Sequence, residues 1–288
     1  MKILGLERDN TTLMSSPDAF GWEYSASFEL YPFHEGKDRA VYKGIMNGRG
    51  PQRAQLCVVK AKLDRFGSPE DWEPVQEVVR RATALATSFN VLVNARVISF
   101  LWPKVAELST VSDFTPLIRI FKKHDKYLKK EEMVVIEDFL EGDFETFNST
   151  VGWIDPHSKA DITQAFSHYT WHATRSLVVC GLQGVAEGRR FRLTTPTIHS
   201  RDGKYGESDG GVAGVMEFFS THRCNNICSA WAGPDVPDIK CARDINVHHP
   251  RPCNRPRRNC NMYIPPYHSH VDYVPKVPSA PIFDSTRF

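Results

Sequence analysis

Residues 206–228 read GESDGGVAGVMEFFSTHRCNNIC, a run in which a glycine-rich loop gives way to an apolar helix and then to metal-ligand residue types. Gly206, Gly210, Gly211 and Gly214 can bring backbone close to a phosphate or a peptide, because glycine accepts conformations that a Cβ forbids. The spacing is neither a Walker motif nor a dinucleotide fingerprint, and taken alone the loop also fits a simple turn. A helix is predicted to start near Val212. Behind it Cys224 and Cys228 stand four positions apart, so on a helix both thiolates share one face. His222 joins them only where the helix begins, ends or bends. Sulfur with imidazole is the donor set that zinc prefers, and a tetrahedral shell needs one more ligand. Spacing leaves His168, His172 and His199 open for that place; two buried thiols beside a surface histidine is the competing reading.

Upstream of this stretch the pattern predicts a helix over 161–173 and a strand over 176–182. The polar segment 148–161, with Gly152 and Pro156, reads as a connection between lobes. Nearer the N-terminus, Trp22, Tyr24, Ala26, Phe28 and Leu30 alternate with polar residues as a half-buried strand should. A charged turn at 35–39 follows, and residues 40–45 and 54–63 read as two more strands. Lys60 ends the apolar run Cys57, Val58, Val59, and a strand-borne lysine facing a cleft can hold nucleotide phosphates; a surface lysine is the plainer alternative. Ser68, Pro69, Glu70 and Asp71 predict a helix N-terminus, followed by Trp72, Val75, Val78, Val79, Ala82, Leu85 and Phe89 at helical spacing. Apolar runs at 117–121 and 133–140 read as strands, separated by a lysine-rich solvated turn at 124–130. Strands first and helices later imply an α+β domain of two lobes.

The chain has 288 residues, 41% hydrophobic and 24% charged, the composition of a globular protein with a sizeable core. A net charge of +2 argues against nucleic acid or an anionic membrane as partner. No run approaches the ~20 apolar residues that span a bilayer, and MKILGLERDNTT is a poor secretory signal. An intracellular, cytoplasmic protein is expected, with seven cysteines kept as thiols or metal ligands rather than disulfides. Ten of the 19 prolines fall between Pro234 and Pro281, so 233–288 is expected to be an extended or disordered tail. Its segment RPCNRPRRNC, with Cys253 and Cys260, supports a nucleic-acid module only weakly, because neither the cysteine spacing nor the aromatic placement matches a known finger or stacking platform.

Six stretches occur in order: CVVK (57–60), IEDFLEGDFETFN (136–148), QAFSHYT (164–170), LVVCGLQGV (177–185), PTIHS (196–200) and the loop-helix unit quoted above. Together they resemble the alpha-kinase family, which includes the myosin heavy chain kinases, over roughly residues 20–232. The resemblance implies a two-lobed kinase-like fold, N-lobe about 20–140 and C-lobe about 141–232, with ATP in the cleft. By position, Lys60 and Arg39 would meet the phosphates. Glu137 would lie at the hinge and Gln183 in the catalytic segment. The loop carrying Gly206, Gly211 and Gly214 would border a protein substrate. The resemblance also selects His168 to complete a structural zinc site with His222, Cys224 and Cys228.

Three positions depart from the family pattern. Gly181 and Thr195 stand where the family carries aspartates for metal and for the substrate hydroxyl, and Thr146 replaces a lysine near the hinge. Glycine and threonine are poor substitutes for carboxylates as Mg²⁺ ligands, and loss of one acid-base group typically costs 10²- to 10⁴-fold. Glu187, Asp202 and Asp209 are the nearby acids that could compensate. Two readings follow: an ATP- and Mg²⁺-dependent serine/threonine protein kinase, or a zinc-stabilised pseudokinase that binds nucleotide or a protein partner.

Overall fold

The structure, a computed structural model, describes residues 9–18, 20–36, 38–95, 97–112, 126–154 and 160–234. The chain divides into a unit of residues 1–245 and a second of 246–288; the second, and with it most of the proline-rich tail, lies outside the described residues. The run at 117–121 lies outside them too.

In chain order the strands are β1 (Asn10–Thr12), β2 (Tyr24–Phe28), β3 (His34–Glu35), β4 (Arg39–Gly48), β5 (Leu56–Lys62), β6 (Ile98–Phe100) and β7 (Lys104–Thr110). They continue as β8 (Met133–Asp138), β9 (Phe144–Thr146), β10 (Leu177–Cys180), β11 (Gln183–Glu187), β12 (Arg190–Leu193) and β13 (Thr197–Ser200). The helices are α1 (Pro69–Leu92), α2 (Asp161–Thr174) and α3 (Gly211–Thr221).

The first sheet runs β2-β1-β7-β8-β5-β4-β3, and β2 also pairs with β4, so six antiparallel strands close into a ring. Alternation along the strands sends Tyr24, Ala26, Tyr42, Cys57, Val59, Val134 and Ile136 into the ring's interior. The sheet starts earlier than the expected boundary near residue 20, because β1 is wedged between β2 and β7.

Helix α1 begins as its sequence predicts: the Ser68 hydroxyl and the Asp71 carboxylate cap one another's backbone N–H groups, with Pro69 at the first helical position. Such a cap is worth about 1 kcal/mol. The helix serves two cores. Trp72 and Val75 pack on Val135, on the outside of the ring. Val78, Ala82, Leu85 and Phe89 enter a second core with Phe166, Val179, Leu182, Phe191 and Ile198. Each such fully buried large side chain contributes roughly 1.5–3 kcal/mol. This second core is roofed by the sheet β6-β12-β11-β9 and the pair β10-β13. Among the described residues, no helix is long and apolar enough to cross a membrane.

One expectation is corrected here. The turn at 124–130 is not wholly solvated: the Lys126 ammonium is buried, donates to the Arg65 carbonyl at 2.7 Å and pairs with the buried Glu132. A buried ammonium is tolerable only with such partners.

Candidate active site and metal centre

The register of β4, β5 and β8 decides which side chains meet. Val41 lies opposite Lys60, Arg39 opposite Lys62, and Val58 opposite Glu137. Residues two apart share a face, so Arg39, Lys60, Lys62 and Glu137 all point away from the ring's interior. Lys60 Nζ donates to Glu137 Oε2 at 2.6 Å, and the Glu137 side chain is 0% exposed. The other oxygen, Oε1, accepts the Thr195 hydroxyl at 2.9 Å. Lys60 and Glu137 thus form an ion pair that the sequence reading, which gave them separate places, did not name, and Thr195 closes on the same carboxylate.

Arg39 and Lys62 flank Trp72, whose ring centroid is 5.5 Å from the guanidinium carbon and 5.4 Å from the ammonium nitrogen. Arg39 also pairs with Asp38 at 3.3 Å. Beside Glu137, Asp138 is held by Lys104 at 3.1 Å and by Gln52 at 2.8 and 2.9 Å.

Gln183 opens β11, opposite Thr146 on β9, with its side chain exposed. Its carbonyl accepts the Thr194 N–H at 2.9 Å, which ties it to the segment carrying Thr195. Asn148, buried, anchors this region: its Oδ1 accepts the Leu182 N–H at 3.0 Å and its Nδ2 donates to Ser167 Oγ at 3.0 Å. Sequence reasoning gave Asn148 no role, although it closes the quoted stretch IEDFLEGDFETFN. Gly181 has φ +62, and a Cβ there would lie 3.2 Å from Thr197 Oγ1 and 3.3 Å from Thr150 Cγ2.

The acids named as replacements are placed elsewhere. Glu187 ends β11, four residues and roughly 13 Å of strand beyond Gln183. Asp202 accepts Ser200 Oγ at 2.8 Å and pairs with Lys204 at 3.2 Å. Asp209 is committed to the glycine-rich loop, accepting from Ser200 N at 2.8 Å, Ser200 Oγ at 2.5 Å, Tyr205 N at 3.1 Å and Gly211 N at 2.9 Å. The same loop is tied to the first sheet through Glu207, which meets Arg65 at 2.9 Å and Lys62 at 3.7 Å. Gly206, at φ +87, packs on Pro74 of α1. Gly211 opens α3 at φ +61, whereas Gly214 lies inside that helix rather than in the loop.

The remaining cluster gathers four donors within 4.8 Å of one another: His168, His222, Cys224 and Cys228. His168 comes from the buried face of α2, and His222 caps α3 with extended backbone. The cysteines do not share a helix face as the spacing predicted: α3 stops at Thr221, and a turn over 226–230 carries Cys228 inward. His168 Nδ1 lies 3.1 Å from His222 Nε2, Cys224 Sγ 3.6 Å from His168 Nδ1, and Cys228 Sγ 3.7 Å from His222 Nε2. Tetrahedral zinc with ordinary bond lengths demands edges of about 3.4 Å between nitrogens and about 3.6 Å between nitrogen and sulfur. The donor set therefore fits the ion in chemistry and in spacing.

Burial depresses both imidazoles, His222 to about 4, which keeps them in the neutral, ligating form. Burial raises the Cys228 thiol and the adjacent Cys224 raises it further, a repulsion that a divalent cation would remove. His222 Nδ1 lies 3.1 Å from Gln164 Oε1, the outer partner that fixes a ligating histidine. The other two histidines are excluded by position: His172 stacks on Trp231 at 5.8 Å, and His199 bridges Thr150 and Gly210.

A sequence profile of the alpha-kinase family matches residues 34–228. The chain belongs to the alpha-kinase family. Among curated alpha-kinases, alpha-protein kinase vwkA of Dictyostelium discoideum is 34% identical over 105 residues, covering 36% of this chain and 17% of that protein. Eukaryotic elongation factor 2 kinase of Rattus norvegicus is 26% identical over 188 residues, covering 64% of this chain and 25% of that protein. The chain therefore spans a quarter or less of these relatives' lengths. The solved alpha-kinase domain of myosin-II heavy chain kinase A in complex with AMP-PNP shares the fold, with a TM-score of 0.61 at 22% identity, over 79% of this chain and 98% of that one.

Proposed function

We propose that this alpha-kinase domain binds a nucleoside triphosphate, is held together by one structural zinc, and transfers phosphate to protein serine or threonine poorly if at all. The observation that carries this reading is the charge on the outer face of β4, β5 and β8. Arg39, Lys60 and Lys62 supply cations suited to phosphates, while the Glu137 carboxylate is engaged by Lys60 and Thr195. Myosin heavy chain kinase A domains solved with AMP-PNP and with ADP support nucleotide as the ligand class.

The residues present do not fit a Mg²⁺ ion held by the protein. Mg²⁺ demands hard oxygen ligands in near-octahedral array; Gly181 offers no side chain, and the Thr195 hydroxyl donates to Glu137. Positioning and metal-assisted charge neutralisation carry phosphoryl transfer, so such a cleft retains binding ahead of chemistry. Zinc fits: His168, His222, Cys224 and Cys228 would hold it, and a closed shell of four protein ligands supplies cross-linking without a reactive water.

The second reading is an active serine/threonine kinase, favoured by the intact Lys60–Glu137 pair and by Gln183. A thermal-shift titration with ATP, with and without Mg²⁺, run beside phosphotransfer to a supplied protein substrate, decides between them. ATP at a hundredfold excess over its dissociation constant should stabilise the chain by about 2.7 kcal/mol, and Lys60→Ala should abolish the shift. Phosphotransfer that is lost in Lys60→Ala would establish the active kinase; no shift under any condition would leave a scaffold that binds a protein partner.

A further inference from the structure

Gly214 and His199 explain one another. A Cβ at position 214 would lie 2.5, 2.6 and 2.9 Å from three atoms of the His199 ring, so the glycine in α3 exists to admit an imidazole rather than a substrate. The ring is 4% exposed and lies between two segments of the site. Its Nδ1 accepts the Gly210 N–H at 2.8 Å, where the glycine-rich loop enters α3. A nitrogen that accepts carries no proton, so the proton of the neutral ring is on Nε2, which donates to the Thr150 carbonyl at 2.8 Å. Thr150 follows Ser149, whose carbonyl accepts the Gly181 N–H at 3.3 Å.

We infer that His199 is a positioning residue: in its neutral Nε2–H tautomer it sets the glycine-rich loop in register with the segment that backs Gly181. The inference rests on the reading of that loop as the protein-substrate border. Protonation at Nδ1 would remove the acceptor for Gly210 and set two donors face to face. The charged groups facing the ring are Asp209 from the loop and Glu217 from α3; the 149–154 segment offers its Thr150 carbonyl, and β10 sets Val178 opposite. Burial outweighs both carboxylates and holds the imidazole below its ordinary value, so the neutral latch persists at neutral pH.

Amide hydrogen exchange across 203–214 in the full chain, corrected for intrinsic rates, reads the latch without any substrate. His199→Asn keeps an acceptor where Nδ1 was and should retain protection at Gly210, whereas His199→Gln and His199→Leu should speed exchange there roughly five- to tenfold. Gly214→Ala, which crowds the ring, should do the same. In the wild-type chain, protection at Gly210 should hold at neutral pH and fall only as the pH drops below the ordinary histidine value, while that of central α1 amides stays. Unchanged protection in a folded His199→Leu chain, or a flat wild-type profile should the variants fail to fold, overturns the inference. Binding of a serine/threonine peptide, measured separately, tests the role of the loop: a working latch without peptide binding would sink that reading alone.

Discussion

Thr195 and Glu137 are joined by a hydrogen bond of 2.9 Å between residues 58 positions apart, at a position that the family resemblance assigns to an aspartate. The hydroxyl can donate to a carboxylate that a second carboxylate would repel. Threonine therefore does more than delete an acid: it supplies Glu137 with the neutral donor that Lys60 alone does not provide.

Thr195→Val keeps the shape and removes that donor. Leaving the buried Glu137 oxygen short of a partner should cost about 1–3 kcal/mol, read as a lower denaturation midpoint. Thr195→Asp places a second carboxylate against the first, and two acids so close resist joint ionisation. Its deficit relative to wild type should grow as pH rises from the unfolded carboxyl value, about 4, toward neutrality. A variant equally stable across that range would contradict the geometry.

Gly181→Asp should be destabilising on its own. The position has φ +62, and the new Cβ would press on Thr197 and Thr150. Left-handed backbone costs an ordinary L-residue about 1–2 kcal/mol, less for aspartate, so the melting temperature should fall by about 2–4 °C. A rise in melting temperature would show that the site is already shaped for an acid.

Removal of metal should be severe. Elemental analysis is expected to find one zinc per chain, lost on chelation or in Cys228→Ser. The binding energy is on the order of 10 kcal/mol, judging from small zinc modules, so the second core, which includes Cys228, should loosen with it. Cys57→Ala, a change inside the ring, should leave the metal content unchanged.

Asp71 links pH to the start of α1. Burial pushes its carboxyl up, but the Arg65 guanidinium and the Ser68 N–H outweigh it and hold it below its usual range. A depressed acid contributes stability above its unfolded value, near pH 4, and loses it as pH falls through the folded one. Asp71→Asn should therefore cost roughly 1 kcal/mol at pH 7, and the difference should vanish in acid. A difference that persists at low pH would place the effect in packing rather than in charge.

Much of this was legible where local chemistry and tertiary structure agree. Ser68 and Pro69 announced α1 because a cap is a matter of four consecutive residues, and Tyr24–Phe28 announced β2 because its inward positions are apolar. Strand β7 hid, since its inward Lys104 breaks the alternation and is explained only by Asp138 and Tyr24 from elsewhere. Strands β6, β9, β12 and β13 are too short to show a period. In the site, residue types pointed to the members of the His/Cys cluster except for His168, which the family resemblance alone selected. No local pattern could show that Thr195 would meet Glu137, that Asp209 would be consumed by its own loop, or that His199 would occupy the space left by Gly214. Each depends on partners that only the folded backbone brings together.

The closure of the first sheet governs how this domain can meet other chains. A strand at an open edge exposes a ladder of N–H and C=O groups that invites another strand to join. With β2 bonded to both β1 and β4, the six ring strands use both sides of their backbone within the chain, and among the described residues only the two-residue β3 hangs outside. The sheet β6-β12-β11-β9 has two ends. Among the described residues, the longer edges open to strand addition therefore lie in the half that also carries Gln183 and the His/Cys cluster, and the half carrying Lys60 and Glu137 offers only the short β3.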